Sequence, residues 1–403
     1  MKVNNLFNWV FLLSACALLA IGRVYDERLT IYSVNLVIVL SLVYVSVLAF
    51  ILFSVKSIVW SKSKLLLYSL YLFMFISTAV LWIVFDVNLY GFEKFMNFWI
   101  IVVPLTFIVA EMFDSKQVMK MFFVLLGVSC FLALLSVVGL SVSERADGRM
   151  ATLGGGPIVF ARWMGFGIIT LFLLPYKFKS GFKYLMLVTF LILALASGSR
   201  GPILALFIIG ILYLGLNFNR IIVKVSLGVV LISLFILISG VGEKISGVGN
   251  FDRVFMNVSK KGGSKQSTST RTNLAIGSLI LLQHYPLGVG AGNWQQVSNE
   301  IRPTHLMPLE YPHNLFLEVA CEYGLHVLFI LVLLFIFIIH LSYVKMIKYK
   351  DENSLYPLLF YLLIFLSLNS LVSGMLNDSR LLFIIISMVL INKPLIILRK
   401  SNG

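Results

Sequence analysis

Charged side chains are scarce in this sequence, and their scarcity excludes a water-soluble globular protein. Only 12% of the 403 residues are charged, whereas 60% are hydrophobic. A soluble domain of this composition would have far more apolar surface than it could bury. The composition therefore predicts an integral membrane protein.

Cysteine is also rare, and the places where it occurs exclude a disulfide framework. Cys16, Cys130 and Cys321 are the only three cysteines, and all lie in apolar segments. An unpaired cysteine in such a segment normally behaves as a small hydrophobic side chain. We therefore expect no disulfide framework, no metal site and no cofactor.

Acidic residues are fewer than basic ones, 17 against 32, so that the net charge is +15. In a soluble protein this excess would suggest nucleic acid as a partner. Here much of the positive charge lies in short loops between apolar runs, where it would face anionic lipid headgroups. We expect membrane lipid, and not nucleic acid, as the partner of these loops.

Long apolar runs dominate the chain, and most can cross a hydrocarbon core of roughly 30 Å. They lie near residues 6–22, 31–53, 65–85, 97–112, 118–140, 158–175, 184–197, 202–216, 221–241, 315–342, 354–373 and 381–398. The predicted fold is an all-α polytopic membrane protein with about twelve transmembrane helices. Residues 1–241 carry helices 1–9, and residues 315–403 carry helices 10–12.

The distribution of basic residues predicts the orientation of these spans. Alternate loops are rich in lysine and should be cytoplasmic together with both termini, whereas the loops between them carry balanced charge and should face outward. Under this assignment ten of the 12 arginines lie outside and 15 of the 20 lysines lie inside. Because arginine binds phosphate through two hydrogen bonds, the outer face is suited to phosphate. The positive-inside rule and genome composition are the alternative explanation for the lysines.

Residues 242–314 form a large outward connection of roughly seventy residues, far longer than an ordinary link. Its first part, 246–270, is rich in Gly, Ser, Thr and Lys, which predicts a flexible segment. Residues 271–284 carry apolar residues over about three turns and are expected to form a helix on the outer membrane surface. The glycine-dense segment 286–294 would let the backbone approach a ligand or another chain closely.

Arg200 stands in Ser-Gly-Ser-Arg-Gly-Pro at the predicted outer end of a span. Ser199 is placed to cap the following helix, and Pro202 fits its first turn. A helix N-terminus beside a guanidinium is a strong anion site, so Arg200 is the first candidate for binding diphosphate. Alternatively, Arg200 only reaches the interface, and Gly198 and Gly201 only make a tight turn.

Other arginines of the outer face are weaker candidates for the same anion site. Arg271 opens the expected interfacial helix, where the alternative role is an ordinary contact with lipid headgroups. Arg162 lies one turn inside the sixth span and is included among the candidate substrate-binding residues. Three further arginines in outer loops either add to a basic cavity or support the fold: Arg145, Arg149 and Arg380.

His313, in Tyr-Pro-His-Asn, stands where the long connection enters the tenth span. An imidazole is suited to accepting the proton of a hydroxyl near neutral pH, so His313 is a candidate general base. Glu318 and Glu322 follow on one helix face, and carboxylates entering a membrane are costly enough to indicate a purpose. They would orient His313, pair with Arg or contact sugar hydroxyls. The other histidines compete with His313 for the catalytic role: His284, His305, His326 and His340.

Three motifs, in this order along the chain, resemble the O-antigen polymerase and ligase superfamily. They are Ser-Gly-Ser-Arg-Gly at Arg200, Arg271 ahead of His-Tyr-Pro-Leu-Gly-Val-Gly, and Pro-His-Asn-Leu-Phe-Leu-Glu at His313 with Glu322-Tyr-Gly after it. The motif region runs over residues 194–326, and no single motif is specific, but the ordered set is. The resemblance implies a membrane-embedded, GT-C-like glycosyltransferase of the bacterial inner membrane. It further implies a metal-independent, inverting reaction with glycan carried by undecaprenyl diphosphate.

The resemblance also implies roles for individual residues and for partners. It places the essential histidine at His313 and the catalytic diphosphate contacts at Arg200 and Arg271, with Glu318 and Glu322 as further substrate contacts. The acceptor is another lipid-linked repeat in a polymerase, a lipid A core sugar in a ligase, or a protein or teichuronic-type chain. A protein that regulates chain length is a further expected partner.

Two other classes of protein fit the spans and the outward cations. A flippase for lipid-linked oligosaccharide would place polar groups near the membrane midplane. The predicted spans are nearly free of charge in their middles, and the candidate groups gather at one face, which favours the enzyme. A noncatalytic assembly scaffold is the remaining alternative.

Overall fold

The structure is a computed structural model that describes residues 5–21, 30–31, 34–53, 61–139, 156–217, 263–301, 311–350 and 352–397. These residues form an all-helical multi-pass membrane protein, with one small antiparallel pair of strands. The strands are β1 (Thr30–Ile31) and β2 (Val34–Asn35). The predicted helical membrane architecture is therefore confirmed.

Helices account for most of the described residues. In chain order they are α1 (Asn5–Ala20), α2 (Leu36–Phe53), α3 (Lys62–Val84), α4 (Leu89–Asn97), α5 (Val103–Met112), α6 (Ser115–Val137), α7 (Pro157–Leu173), α8 (Ser180–Ala196), α9 (Arg200–Asn217), α10 (Gly263–His284), α11 (Trp294–Ile301), α12 (Leu315–Tyr323), α13 (Leu325–Lys348), α14 (Tyr356–Ser373) and α15 (Arg380–Val389). A π-helical segment, Phe98–Val102, joins α4 to α5, and a 3₁₀ turn, Asn377–Ser379, precedes α15.

Six of the described helices are long and apolar enough to cross a membrane: α3, the continuous α4–α5 helix, α6, α9, α13 and α14. Four shorter apolar helices, α1, α2, α7 and α8, accompany them. Ten of the predicted runs therefore coincide with apolar helices. The predicted run 221–241 lies outside the described residues, and the run 381–398 contains only α15, of 10 residues.

Two predicted runs differ from the observed helices in ways that matter for the site. The fourth begins at Leu89 instead of residue 97, because Asn88 caps α4 by accepting a hydrogen bond of 2.6 Å from the Gly91 amide. The tenth is not one continuous span. It is broken at Gly324, whose φ of 96° lies in the left-handed region that favours glycine, so that α12 and α13 are separate helices.

The described chain divides into two compact units. Unit 1 comprises Met1–Ala20, Leu36–Met121 and Thr268–Gly403, and unit 2 comprises Ile21–Asn35 and Phe122–Ser267. In unit 1, α13 packs on α3 and α14, and α15 packs on α5 and α14. In unit 2, α7 packs on α8 and α9.

Aromatic side chains fill the interior of unit 1. The Tyr71 ring meets the Phe98 ring edge-on at 5.9 Å, and Phe98 meets Phe383 in the same way at 5.5 Å. The hydroxyl of Tyr44, from α2, donates to the Ile101 carbonyl at 3.1 Å. These contacts tie α2, α3 and α15 to the π-helical segment, and such ring pairs contribute about 1 kcal/mol each beyond their buried area.

Of the two roles expected for Arg380, the structure shows the one in the fold. Its side chain is buried, and its Nη1 donates to the Leu18 carbonyl at 2.9 Å while its Nε donates to the Asn377 carbonyl at 2.6 Å. Leu18 lies in the last turn of α1, where backbone carbonyls lack partners within the helix. Arg380 therefore ties the end of α1 to the start of α15.

Candidate functional site

The backbone enters α12 through a strained residue, His313. Its φ is 56°, and no other non-glycine residue in the described parts of the chain has a positive φ. A side chain in this region costs about 1–3 kcal/mol and persists only where the surroundings fix it. Such residues are concentrated at active sites, so this geometry supports the functional role predicted for His313.

Asn314 provides the fixation that holds His313 in this conformation. Its side-chain oxygen accepts hydrogen bonds from the amides of Phe316, at 2.9 Å, and Leu317, at 3.1 Å. Its side-chain nitrogen donates to the Leu371 carbonyl, at the end of α14, at 2.9 Å. Asn314 is thus the N-cap of α12, and its side chain also binds the end of α14.

The imidazole of His313 is half-buried and lies against the ring of Tyr311. The two ring centroids are 4.2 Å apart, and the rings are inclined by 42°. This contact restricts the orientation of the imidazole, whose Nδ1 atom is buried.

Glu318 and Glu322 lie on the same face of α12 and share one partner, Lys94 of α4. The ammonium group pairs with a Glu318 oxygen and lies 2.5 Å from Glu322 Oε2. The other Glu318 oxygen accepts a hydrogen bond of 2.8 Å from the Leu376 amide. The two glutamates are 0% and 2% exposed, so a contact with sugar hydroxyls would require Lys94 to move.

Lys94 falls between the predicted runs 65–85 and 97–112, in a stretch expected to be an outward loop, but the structure places it in a helix. The residue is part of α4, and 2% of it is exposed. The physical reason is that the two buried carboxylates compensate its charge. The pair Glu318 and Glu322 was a sequence signal that a cation should lie nearby, but nothing in the sequence identified which one.

Burial removes the Glu318 carboxyl from water and raises its pKa above the usual value. The positive charge of Lys94 opposes this rise in pKa, and the negative charge of Glu322 adds to it. Desolvation and a like charge both favour the neutral acid. The three side chains therefore form one coupled electrostatic unit.

The glycine-dense segment 286–294 approaches its own chain. The Val289 amide donates to the Cys321 carbonyl at 3.0 Å, and the Gly290 amide donates to the Glu322 carbonyl at 2.9 Å. The segment thus completes the hydrogen bonding at the C-terminal end of α12, where helix carbonyls lack partners. The close approach predicted for these glycines occurs within unit 1, and its function there is structural.

Arg271 lies in the middle of α10, not at its beginning. The flexible segment predicted over 246–270 is wrong at its C-terminal end, since residues 263–270 are helical; residues 246–262 lie outside the described part of the chain. Arg271 is half-buried, and its side chain forms no ion pair or hydrogen bond within the described residues.

One face of α10 packs beneath the site, and another is exposed. Ser278 accepts a hydrogen bond of 3.1 Å from the Trp294 indole, and both side chains are buried together with Leu274. On the exposed face Ile276 and Leu279 are 41% and 54% accessible. Such an apolar face is what an interfacial helix requires, and its location at the membrane surface stays a prediction.

The remaining candidate arginines belong to unit 2. Helix α9 begins at Arg200, directly after Ser199, as predicted, but within the described residues the Ser199 hydroxyl makes no hydrogen bond, so the predicted side-chain cap is not formed. Gly198 makes the preceding turn with a φ of 66°. The Arg200 side chain is exposed at the helix N-terminus. Arg162 is buried within α7, with 8% exposure.

The competing histidines have other environments. His326 Nε2 is 2.7 Å from the Ser77 hydroxyl, and His284 donates from Nδ1 to the Ile280 carbonyl one turn earlier in α10, at 2.9 Å. His340 is exposed in α13, and His305 lies outside the described residues. Among the described residues no cluster of three or more His, Cys, Asp or Glu side chains is placed to hold a metal ion.

Comparison with known proteins identifies the segment that contains these residues. A family model described as O-antigen ligase matches residues 185–332, which include Arg200, Arg271 and His313. No curated protein matches the chain. The match confirms the resemblance that the motifs indicate: over residues 185–332 the sequence is similar to the O-antigen ligase family.

Proposed function

We propose that this protein is a glycosyltransferase that moves glycan from undecaprenyl diphosphate to an acceptor sugar at the periplasmic face of the bacterial inner membrane. The observation that carries the proposal is His313, held in a strained backbone conformation at the start of α12 within the matched domain. A strained backbone conformation that a helix cap holds in place indicates that the position serves a function. The half-buried imidazole offers a base at that position.

The proposed reaction is a single displacement with inversion at the anomeric carbon. His313 accepts the proton of the acceptor hydroxyl as its oxygen forms a bond to the anomeric carbon. The bond from that carbon to the phosphate oxygen breaks, and undecaprenyl diphosphate leaves with the bonding electrons. Arg200 and Arg271 stabilise the negative charge that develops on the diphosphate.

The acceptor in this proposal is another lipid-linked repeat, which makes the protein a polymerase that works with a chain-length regulator. A ligase that uses lipid A core is the second candidate, and the description of the matched family favours it. In both reactions the donor and its leaving group are the same, so the roles of His313 and the arginines do not differ. A flippase would have no need of a general base.

One contact within unit 1 agrees with the proposed orientation, in which the chain makes about twelve crossings and both termini are cytoplasmic. Arg380 bonds to Leu18, and both positions belong to ends predicted to face outward. Lys345 donates to the carbonyls of Val389 and Ile391, at 2.7 and 3.1 Å; these two residues lie in the middle of the predicted run 381–398, where α15 already ends.

Deletion of the gene, followed by chain-length analysis of the surface glycan, tests the proposed function. A single repeat left on the core is expected for a polymerase. Loss of all core-attached glycan with accumulation of lipid-linked polymer would instead identify a ligase. Unchanged glycan, or lipid-linked repeats trapped on the cytoplasmic side, would overturn the transferase proposal.

Complementation with arginine variants tests the diphosphate contacts. Arg271→Ala is expected to lower transfer by about 100-fold, as for other removed transition-state donors. Arg271→Lys should recover only part of the loss, because an ammonium cannot bind phosphate through two parallel hydrogen bonds. The measurement is transfer from purified lipid-linked donor at equal protein abundance in membranes. Full transfer by Arg271→Ala would remove this residue from the mechanism.

A further inference from the structure

A buried cluster of three charged side chains involves α12, the helix that follows His313. We call Lys94, Glu318 and Glu322 the Lys94 cluster; their exposures are 2%, 0% and 2%. One ammonium faces two carboxylates, and the three residues come from helices that are more than two hundred positions apart in sequence. The proposed reaction uses none of these groups directly.

Burial of such a cluster is not a favourable way to stabilise a fold. Removing charges from water costs several kcal/mol per ion, and apolar side chains of similar volume are often as stable or more stable. Buried ion clusters are therefore weak evidence for stability as their purpose. The alternative purpose of the cluster is to fix the positions of chain segments relative to one another.

The Lys94 cluster joins four segments of unit 1. Lys94 holds α4, and the two glutamates hold α12. Through its second oxygen Glu318 receives the Leu376 amide, which follows α14, and the Glu322 carbonyl receives the Gly290 amide of the glycine-dense segment. The position of α12 is therefore set from three sides.

The cluster is also bonded directly to the site segment. The Glu318 amide donates to the Asn314 carbonyl at 3.0 Å, in the first turn of α12. Asn314 is the residue after His313, and its side chain caps the same turn. A rotation or shift of α12 would therefore move the backbone that orients the imidazole.

We propose that Lys94 is a positioning residue for His313, acting through Glu318 and Glu322. The ammonium fixes α12 against α4, so that the imidazole points towards the acceptor hydroxyl. This inference rests on the proposed function, since it assumes that His313 is the base. It adds a residue of α4, outside the matched segment 185–332, to the apparatus of the reaction.

The decisive variant is Lys94→Met, which keeps the length of the side chain and removes its charge. The two carboxylates then face each other without a cation, one takes up a proton, and α12 shifts. We expect kcat to fall by about 100-fold, the loss that a displacement of about 1 Å can cause. The KM for the lipid-linked donor should stay unchanged, because the proposed diphosphate contacts are Arg200 and Arg271.

Lys64→Met provides the matched control. Lys64 is equally buried in unit 1 and pairs with Glu111 at 2.7 Å, but α12 is not part of that contact. This variant should lose thermal stability to a similar degree and keep the kcat of the wild type. A triple variant, Lys94→Met with Glu318→Gln and Glu322→Gln, carries no charge in the Lys94 cluster and serves where Lys94→Met is not recovered folded. Its kcat should remain low.

The assay uses the purified full chain in lipid nanodiscs, with lipid-diphosphate-linked repeat isolated from the deletion strain as donor and acceptor. A loss of activity in His313→Ala together with wild-type kcat in Lys94→Met, or in the triple variant, would overturn this inference alone. A kcat loss equal in Lys94→Met and Lys64→Met would overturn it too. Full activity of His313→Ala would overturn the proposed function and, with it, the inference.

Discussion

Replacement of His313 by alanine is expected to abolish glycan transfer, lowering kcat by about 100-fold to 10,000-fold, the contribution of a general base. The physical reason is that no other described side chain takes the place of the imidazole at the entry to α12. The variant should remain inserted and abundant, because Asn314 supplies the cap of α12. The measurement is transfer from purified lipid-linked donor, with glycan laddering in cells as a second readout.

His313→Asn and His326→Ala are the matched controls for this result. Asparagine tolerates a left-handed φ better than alanine, so His313→Asn preserves the backbone without restoring a base. It should be as inactive as His313→Ala. His326→Ala removes an exposed histidine of α13 that contacts Ser77, and it should keep full activity. Laddering that persists in both His313 variants would eliminate His313 from the mechanism.

The second large effect is expected at Gly292, where alanine should destabilise the fold by about 3 kcal/mol or more, the range of severe backbone conflicts. Gly292 has a φ of 77°, and an added Cβ would lie 2.7 Å from the Gly91 amide nitrogen of α4. The backbone atoms of α4 cannot move aside as the end of a flexible side chain can. The glycine-dense segment would have to leave α4, and α11 would lose its anchor.

Gly277→Ala is the matched control for Gly292→Ala. Gly277 lies in the interior of α10, and its added Cβ would meet only the Ser298 hydroxyl, at 3.5 Å. Helix propensity then favours alanine by up to about 1 kcal/mol. Thermal unfolding of the purified full chain in detergent compares the two variants. An equal midpoint for Gly292→Ala and the wild type would contradict the packing described for this segment.

The long helices could be predicted because the hydrocarbon core imposes their length and apolar character. The start of α9 at Arg200 was equally readable, since Ser199 and Pro202 are local signals of a helix beginning. Local signals failed at Gly324. Glu322 and His326 stand on either side of it, yet the run was predicted to be continuous, and only the conformation of the glycine reveals the break between α12 and α13.

The candidate site was predictable in its parts but not in its connections. His313 and the pair of glutamates were identified from residue type and spacing. The partner of the glutamates was not, because Lys94 precedes Glu318 and Glu322 by 224 and 228 positions and resembles an ordinary loop lysine. Long-range charge compensation leaves no periodic pattern in a single sequence. For the same reason, the glycines of 286–294 predicted a close approach of the backbone but did not identify the segment that it approaches.

The π-helical segment Phe98–Val102 has a consequence for how such a site can arise. Its bond from the Val103 amide to the Phe98 carbonyl encloses one residue more than an α-helical turn. One extra residue rotates everything on its N-terminal side by about 100°, while α5 keeps its packing against α15. Without the extra residue, α4 would be turned by about 100° and Lys94 would point away from Glu318 and Glu322, whereas α5 would stay in place.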